Sequence, residues 1–340
     1  MDLITSISNP NIALIKYWGK NYRQTPSNPS ISFRLKKCYS KTKLFYKKRK
    51  NYKEEISIKV FEKGIEKNNN LYYTIKSFIN DILPYCNYLN KFDLFFYIKT
   101  NFPYGVGLAY SSSLISSICL CIIKLEYNIK GINYKKSNFF LKKVSLLSRI
   151  GSGSACRSIY PGFVIWGKKK NIKNSSNYYA IPYNKKIHNI YKKLQNTILI
   201  IDNKKKIISS SEGHILMKKN PYSKTKFLLS NKNLDNLFKF LENGDFKNFG
   251  NIIEYEALNL HAMMMCSIPY YMLIKPNTLE IIYKIWNFRK KNNILIYFTL
   301  DAGPNIHVIY PYSEKKKILL FIKNELIIFC KKIIKDEISY

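Results

Sequence analysis

Histidine, arginine and acidic residues are all scarce in this chain. Four histidines and six arginines stand among 340 residues, and 21 Asp and Glu face 57 Lys and Arg. With so few histidines, no Ser-His-Asp or Cys-His arrangement for nucleophilic catalysis is evident. The seven cysteines, at 38, 86, 119, 121, 156, 266 and 330, are odd in number and scattered. They form no CxxC pair and no Cys/His cluster with metal-ligand spacing, which excludes a disulfide framework and structural zinc and leaves reduced thiols. No apolar run reaches the roughly 18 residues of a membrane span. The nearest, Leu114 to Ile123, is broken by serines and stopped by Lys124. Met1-Asp2-Leu3-Ile4 lacks the basic opening of a secretory signal, so a soluble chain in the cytoplasm, with no membrane partner, is the expectation.

What is abundant is lysine, and the net charge reaches +36. The excess is spread in short runs such as Lys47-Lys48-Arg49-Lys50, Lys168 to Lys170 and Lys315 to Lys317, among many Asn, Ile, Tyr and Phe. These are the residues favoured by A/T-rich codons, so genomic bias accounts for them without a function. Nucleic-acid readers concentrate arginine, whose planar fork pairs with bases and phosphates. No specific nucleic-acid partner is therefore expected. An arginine inside a glycine-serine motif stands out against this background, and Arg157 is such a residue.

The length suggests roughly two domains, and the 46% hydrophobic content is ample for a core. Strands are expected at Leu3 to Ser8, Ile12 to Trp18 and Ile31 to Leu35, followed by lysine-rich strands and hairpins to about residue 66. Helices are expected at Leu71 to Leu83, Leu114 to Tyr127 and Ser137 to Arg149, and a strand at Phe92 to Lys99. Lys168 to Asn177 reads as a hairpin tip. The polar stretch near residues 184 to 192 divides an N-terminal domain, 1–190, from a C-terminal one, 191–340. The second half opens with a strand at Thr197 to Asp202. Helices around 213–219, 233–242, 246–264 and 277–290 follow, then strands at 294–300 and 305–310 and a terminal helix from Glu314 to Lys335. Strands and helices mix without regular βαβ alternation, so the class is α+β.

Four constellations bear chemistry. In Thr299-Leu300-Asp301-Ala302-Gly303-Pro304-Asn305 an apolar strand runs into an acid that a Gly-Pro turn holds, a common place for a catalytic carboxylate, although an Asp before Gly-Pro is more often just a turn residue. Pro103-Tyr104-Gly105-Val106-Gly107-Leu108-Ala109-Tyr110-Ser111-Ser112-Ser113 lies between a strand and a helix, where free N–H groups and the helix dipole favour a phosphate, and where an ordinary capped helix after a glycine turn gives the same pattern. It is not a Walker A loop, because no Gly-Lys-Ser/Thr closes it. Gly151-Ser152-Gly153-Ser154-Ala155-Cys156-Arg157 leaves room for a small ligand and offers a fork suited to a carboxylate. In Asn11 to Lys20, period two puts Lys16 on the face of Ile12 and Leu14, so its ammonium is expected to be sheltered and to need an anion. Ile208-Ser209-Ser210-Ser211-Glu212-Gly213-His214 adds hydroxyls at a helix start, where a cap alone would also explain them.

These residues resemble the diphosphomevalonate decarboxylases, a family within the GHMP small-molecule kinase superfamily. The matching blocks are NIALIKYWGK, NPSISF, FPYGVGLAYSSS, GSGSACRSIYPGFVIW, SSSEGH, LHAMMM and FTLDAGPN, in order along nearly the whole chain. The resemblance implies a GHMP fold: an N-terminal domain like domain 2 of ribosomal protein S5, a ferredoxin-like C-terminal domain, and a site in the cleft between them. It implies ATP-dependent conversion of 5-diphosphomevalonate to isopentenyl diphosphate, ADP, phosphate and carbon dioxide. Mg2+ would be carried by ATP, with no metal ligand on the protein. Its partners would be these small molecules, and a homodimer is compatible with it.

By position, Asp301 matches the catalytic aspartate and Lys16 the lysine beside it. Ser111 matches the loop serine facing the ATP phosphates, which Pro103, Gly105, Gly107, Leu108, Ala109 and Ser112 would also line. Arg157 matches the arginine on the substrate carboxylate, with Asn11 its polar helper. Tyr17, Lys20, Ser152, Ser154, Ser210 and Ser211 fall on positions that hold the substrate or its diphosphate. His261 lies in a matching block and reads as structural. The chain departs from the pattern at Tyr110, where the loop usually has the first of two serines, and at Ser211, where some relatives carry arginine. Lys76 is the nearest substitute for an arginine often found near residue 75. Rival readings are an enzyme acting on a mevalonate monophosphate, a mevalonate 3-kinase, or a decayed basic nucleic-acid binder. Retention of Lys16, Ser111, Arg157 and Asp301 together argues against the last.

Overall fold

The computed structural model describes residues 2–50, 55–103, 107–133, 137–204 and 208–340. The chain opens with strands β1 (Asp2–Ser8), β2 (Asn11–Ile15), β3 (Ser30–Arg34) and β4 (Ser40–Lys48), then the short hairpin of β5 (Ile58–Glu62) and β6 (Ile65–Glu66). Helix α1 (Asn70–Ile82) leads to β7 (Phe92–Thr100), and the glycine loop then runs into α2 (Tyr110–Ile129). After α3 (Asn138–Gly151) and a 3₁₀ segment, Gly153–Ile159, come β8 (Phe163–Trp166) and β9 (Ala180–Pro182). The one-turn α4 (Asn189–Lys192) reaches β10 (Gln195–Ile200). Four helices follow: α5 (Ser210–Lys219), α6 (Ser223–Asn243), α7 (Phe246–Met265) and α8 (Pro276–Asn292). The chain ends with β11 (Tyr297–Leu300), β12 (Ile306–Tyr310), α9 (Lys315–Phe321) and β13 (Lys332–Glu337).

Three sheets result, in the orders β1-β4-β7-β5-β6, β2-β3-β8-β9 and β11-β12-β10-β13, so the α+β class holds. In β7 the alternation of Leu94, Phe96 and Ile98, all buried, turns one face of the first sheet toward α1 and α2. Hydroxyls let α2 lie close on β1 and β4: Ser116 pairs with Ser8 at 2.7 Å, Ser113 with Ser40 at 2.7 Å and Ser117 with Thr42 at 2.6 Å. Each of these six hydroxyls is thereby satisfied. This helix is long and apolar enough to cross a bilayer, yet it lies inside the core. Ile12, Leu14 and Phe33 from the second sheet share one apolar cluster with Leu234, Phe249 and Ile253 of α6 and α7. That shared core, about 1.5–3 kcal/mol per fully buried large side chain, fixes the two halves against each other and so sets the cleft.

Three expectations need correction. The terminal helix ends at Phe321, continues as a π turn at Ile322–Leu326 and a 3₁₀ turn, and gives way to β13. β10 needed a partner on its second edge, and Lys332–Glu337 supplies it antiparallel, with Ile333 opposite Leu199 and Ile334 opposite Ile198. Tertiary pairing overrode the local helical preference of the lysine-rich run. Asp336 then accepts from the backbone N–H groups of Lys36, Lys37 and Cys38 at 3.0, 2.8 and 2.8 Å, pinning the chain end to the N-terminal half. The strand expected to reach Trp18 stops at Ile15 after a register shift between Ala13 and Ile15. Finally, the helix expected at 233–242 is the last part of the 21-residue α6.

Candidate active site

Asp301 directly follows β11, and its surroundings hold it from both sides. Asn305, beyond the Gly-Pro turn, accepts from the backbone N–H groups of Ile201 and Asp202 at 2.7 and 3.0 Å. It also donates to the Asp202 carbonyl at 3.0 Å, so the turn is tied to the end of β10. His261 of α7 bonds the Asp301 carbonyl through Nε2 at 3.1 Å. A carbonyl can only accept, so Nε2 carries the proton. The structural reading of His261 fits this contact.

Lys16 meets the acid. Its ammonium donates to Asp301 Oδ1 at 3.1 Å and to the Ala13 carbonyl at 2.7 Å. Lys16 is 2% exposed while Asp301 keeps 24% of its side chain open, so the pair presents its acid to the cleft. The sheltering of Lys16 was legible, but its cause was not strand alternation. Every residue from Asn11 to Lys16 is buried, because β2 is covered on both faces. Burial pushes the Lys16 ammonium below its ordinary range, against the pull of Asp301 and Glu256. Burial also works to raise the Asp301 carboxyl, but the charges of Lys16 and Arg157 outweigh it and hold it below the usual carboxylate range. Asp301 is therefore ionised at neutral pH.

Arg157 sits at 3% exposure in the 3₁₀ segment. Its Nη1 donates to the Ser30 hydroxyl at 2.8 Å, and its guanidinium lies 5.8 Å from the Trp166 ring centroid. Its Nε has no hydrogen-bond partner, and among the described residues no carboxylate pairs with it. A buried cation with a spare donor and no carboxylate in hydrogen-bond contact is costly unless an anion arrives. Asn11 donates to the Ser158 hydroxyl at 2.8 Å and the Ser154 carbonyl at 3.1 Å, while its own Oδ1 is buried without a partner. Tyr17 presents a second partnerless buried oxygen, its hydroxyl, and a Cβ at Gly153 would come within 2.7 Å of it, so the glycine is needed there.

The glycine loop is described on either side of residues 104–106, so Gly105 lies outside the described residues. Pro103 is half-buried and Leu108 fully buried. Ala109 adopts a left-handed φ of 47° and opens α2, leaving Ser111 exposed in its first turn. Ser112 differs: it is buried, donates to the Ala109 carbonyl at 2.7 Å and lies 3.4 Å from Asn11 Nδ2. Behind the loop, His307 of β12 pairs through Nδ1 with the Asn196 side chain at 3.2 Å. Burial lowers that histidine to about 4, so it is neutral here.

On the opposite wall, Gly19 has a φ of +107° that favours glycine, and its N–H donates to His214 Nδ1 at 2.9 Å. His214 stacks against Tyr17 and Trp18 at 4.6 and 4.5 Å, and burial lowers it to about 3, which keeps it a neutral acceptor. Ser209 and Glu212 form a capping box at the start of α5, so Ser210 and Ser211 stay exposed in its first turn. Half-buried Lys20 donates to Gln24 at 3.1 Å. Ser152 and Ser154 are half-buried around the start of the 3₁₀ segment. Lys76 pairs with the exposed Glu55 at 3.5 Å.

Sequence reasoning missed Glu256, Ser30, His214 and His307. Glu256 had a signal, an acid on the buried stripe of a helix otherwise rich in Leu, Ala and Met. The others depend on contacts far apart in the chain: Ser30 of β3 meets Arg157, His307 sits on β12, and His214 meets Gly19 from α5.

The family described as Diphosphomevalonate decarboxylase-like N-terminal domain matches residues 8–178, and Mevalonate 5-diphosphate decarboxylase C-terminal domain matches residues 196–337. A diphosphomevalonate decarboxylase of Debaryomyces hansenii is 25% identical over 328 residues, covering 91% of this chain and 79% of its own. The crystal structure of mevalonate diphosphate decarboxylase from Staphylococcus aureus has a TM-score of 0.83 at 24% identity, covering 99% of this chain and 96% of its own. A structure of the protein named MDDEF, in complex with MVAPP, AMPPCP and magnesium, has a TM-score of 0.82 at 23% identity, with 99% and 98% covered. Together the two family matches span both sides of the cleft in which Lys16, Arg157 and Asp301 meet, and the chain belongs to the diphosphomevalonate decarboxylase family.

Proposed function

We propose that this chain catalyses the ATP-dependent decarboxylation of 5-diphosphomevalonate to isopentenyl diphosphate, releasing ADP, phosphate and carbon dioxide. The observation that carries the reading is the open Asp301 carboxylate paired with buried Lys16, beside an Arg157 that lacks a carboxylate partner among the described residues. The reaction needs a clamp on a carboxylate, a group to take a hydroxyl proton and positive charge near a phosphoryl oxygen, and these three supply them. Asp301, ionised at neutral pH, accepts the proton of the tertiary 3-hydroxyl at its open oxygen. Lys16 steadies negative charge on the oxygens beside it. Arg157, with Asn11 beside it, holds the substrate carboxylate in line for loss of carbon dioxide.

The exposed Ser111 and the free N–H groups at the start of α2 suit the phosphates of ATP. When bound, ATP with Mg2+ supplies the phosphoryl group that turns the tertiary hydroxyl into a leaving group. The MDDEF complex with AMPPCP and magnesium supports that pairing. Tyr17, Lys20, Ser152, Ser154, Ser210 and Ser211 are read as the diphosphate side of the site. The reading includes residues 1–190 as the nucleotide-binding half, and a cytoplasmic location that imaging of a tagged chain tests. The decisive assay follows ADP and carbon dioxide release with 5-diphosphomevalonate, and repeats it with the monophosphate in competition. Coupled release from the diphosphate is expected. Preference for the monophosphate, or ADP release without carbon dioxide, would turn the reading toward a mevalonate kinase.

A further inference from the structure

Behind Lys16 lies a charged pair that no step above uses. Glu256 of α7 is fully buried, and the Lys226 ammonium of α6, 3% exposed, donates to its Oε2 at 2.7 Å. Ser230 donates to the same carboxylate at 3.1 and 3.2 Å, and Asn233 donates to Oε1 at 2.8 Å. One more donor closes the network: the backbone N–H of Lys16 itself, 3.1 Å from Oε2. Asn28 holds the other side of that residue by donating to the Lys16 carbonyl at 3.2 Å.

A buried ion pair is weak evidence for stability, because desolvating two charges offsets most of their attraction. A hydrophobic pair would fill the space between α6 and α7 as well. What this pair alone does is place a full negative charge against the backbone of the lysine that faces Asp301. We infer that Glu256, counterbalanced by Lys226, is a positioning residue that seats Lys16 where β2 ends and sets a negative charge behind it. The inference rests on the function proposed above.

The groups facing Lys16 come from five elements: Asp301 after β11, His307 on β12, Arg157 in the 3₁₀ segment, Glu256 on α7 and, behind it, Lys226 on α6. Burial drives the ammonium toward its neutral form, Arg157 adds to that, and Asp301 and Glu256 oppose it. Asp301 and Arg157 are assigned to the substrate. Of these five groups, Glu256 and Lys226 can be altered without touching the groups assigned to the substrate or the His307 contact to Asn196.

The test is the basic limb of kcat/KM for 5-diphosphomevalonate, which reports the free enzyme. Glu256→Gln keeps an acceptor for the Lys16 N–H but removes the charge. The limb is expected to move to lower pH by ~0.5 unit or more, with kcat reduced and KM little changed. Lys226→Met leaves the Glu256 charge uncompensated, and the limb is expected to move the other way. The double variant is expected to return toward the parent. A purely structural pair would lower the melting temperature in both single variants without opposite shifts of the limb. A folded Glu256→Gln whose limb stays in place overturns the inference, as do two single variants that shift the same way. If Glu256→Gln does not fold, an unmoved limb in Lys226→Met has the same force. Should the parent show no turnover at all, the proposed function fails first, and the two failures are told apart.

Discussion

The Lys16 ammonium and the Asp301 carboxylate lie 3.1 Å apart at the ends of strands from two different sheets. The lysine is sealed and the acid open, so the pair is oriented, with its positive charge inside and its negative charge at the cleft. That asymmetry separates it from an ordinary surface salt bridge, worth ~0–1 kcal/mol.

Replacing Asp301 by asparagine preserves shape and the His261 contact, which is made to the backbone. Turnover is expected to fall at least ~10²-fold, since both proton acceptance and charge are lost. The fold and nucleotide affinity should persist. A variant within tenfold of the parent would make Asp301 a turn residue only.

Arg157 and Lys20 should fail differently. Arg157→Lys keeps a charge but loses the fork, so carboxylate alignment and kcat should both drop. Lys20→Ala should mainly raise KM, because a diphosphate contact is equal in ground and transition states. Steady-state kinetics of the two variants check this. The reverse pattern would mean that the substrate lies the other way round.

Much of the site could be read from the sequence because its chemistry is local. Asp301 before Gly303-Pro304, the glycine loop and the Gly-Ser-Arg segment each announce themselves within about ten residues. The supports could not be read that way. Glu256 is 240 residues from Lys16, and His214 is 195 from Gly19, so nothing in either neighbourhood points to the other. The fold failed to show for the same reason at Lys332–Glu337, where pairing with β10 decided between helix and strand. Lys16 was rightly expected to be sheltered, but from a strand pattern that β2, buried on both faces, does not have.

The +36 charge is expected to produce only salt-labile contact with nucleic acid. Titrating labelled duplexes of different sequence should show weak binding at low ionic strength and none at physiological salt. Sequence-selective binding that survives salt would require a recognition surface and would revive the rival reading.

Asp202 offers a test of stability against pH. It accepts from Lys275, from Lys331 at 3.1 Å and from the Lys204 backbone N–H at 3.1 Å, tying the end of β10 to the starts of α8 and β13. The Lys275 contact first, then the Lys204 and Lys331 contacts, hold its carboxyl below the usual range in the folded state, although its own burial opposes them. A carboxyl depressed by folding stabilises the protein above its unfolded value, ~3.9, and loses that contribution as pH falls toward the folded value. Lys275 and Lys331 are about half exposed. Screening therefore limits the gain to ~1 kcal/mol, or roughly 2 °C in Tm. Asp202→Asn should be less stable by that amount at pH 7, and the gap should narrow below about pH 4, where the protonated acid resembles the amide. Thermal melts of both chains from pH 7 to 3 make the comparison. A gap that stays constant would assign the loss to packing and hydrogen-bond geometry rather than to the charge of Asp202.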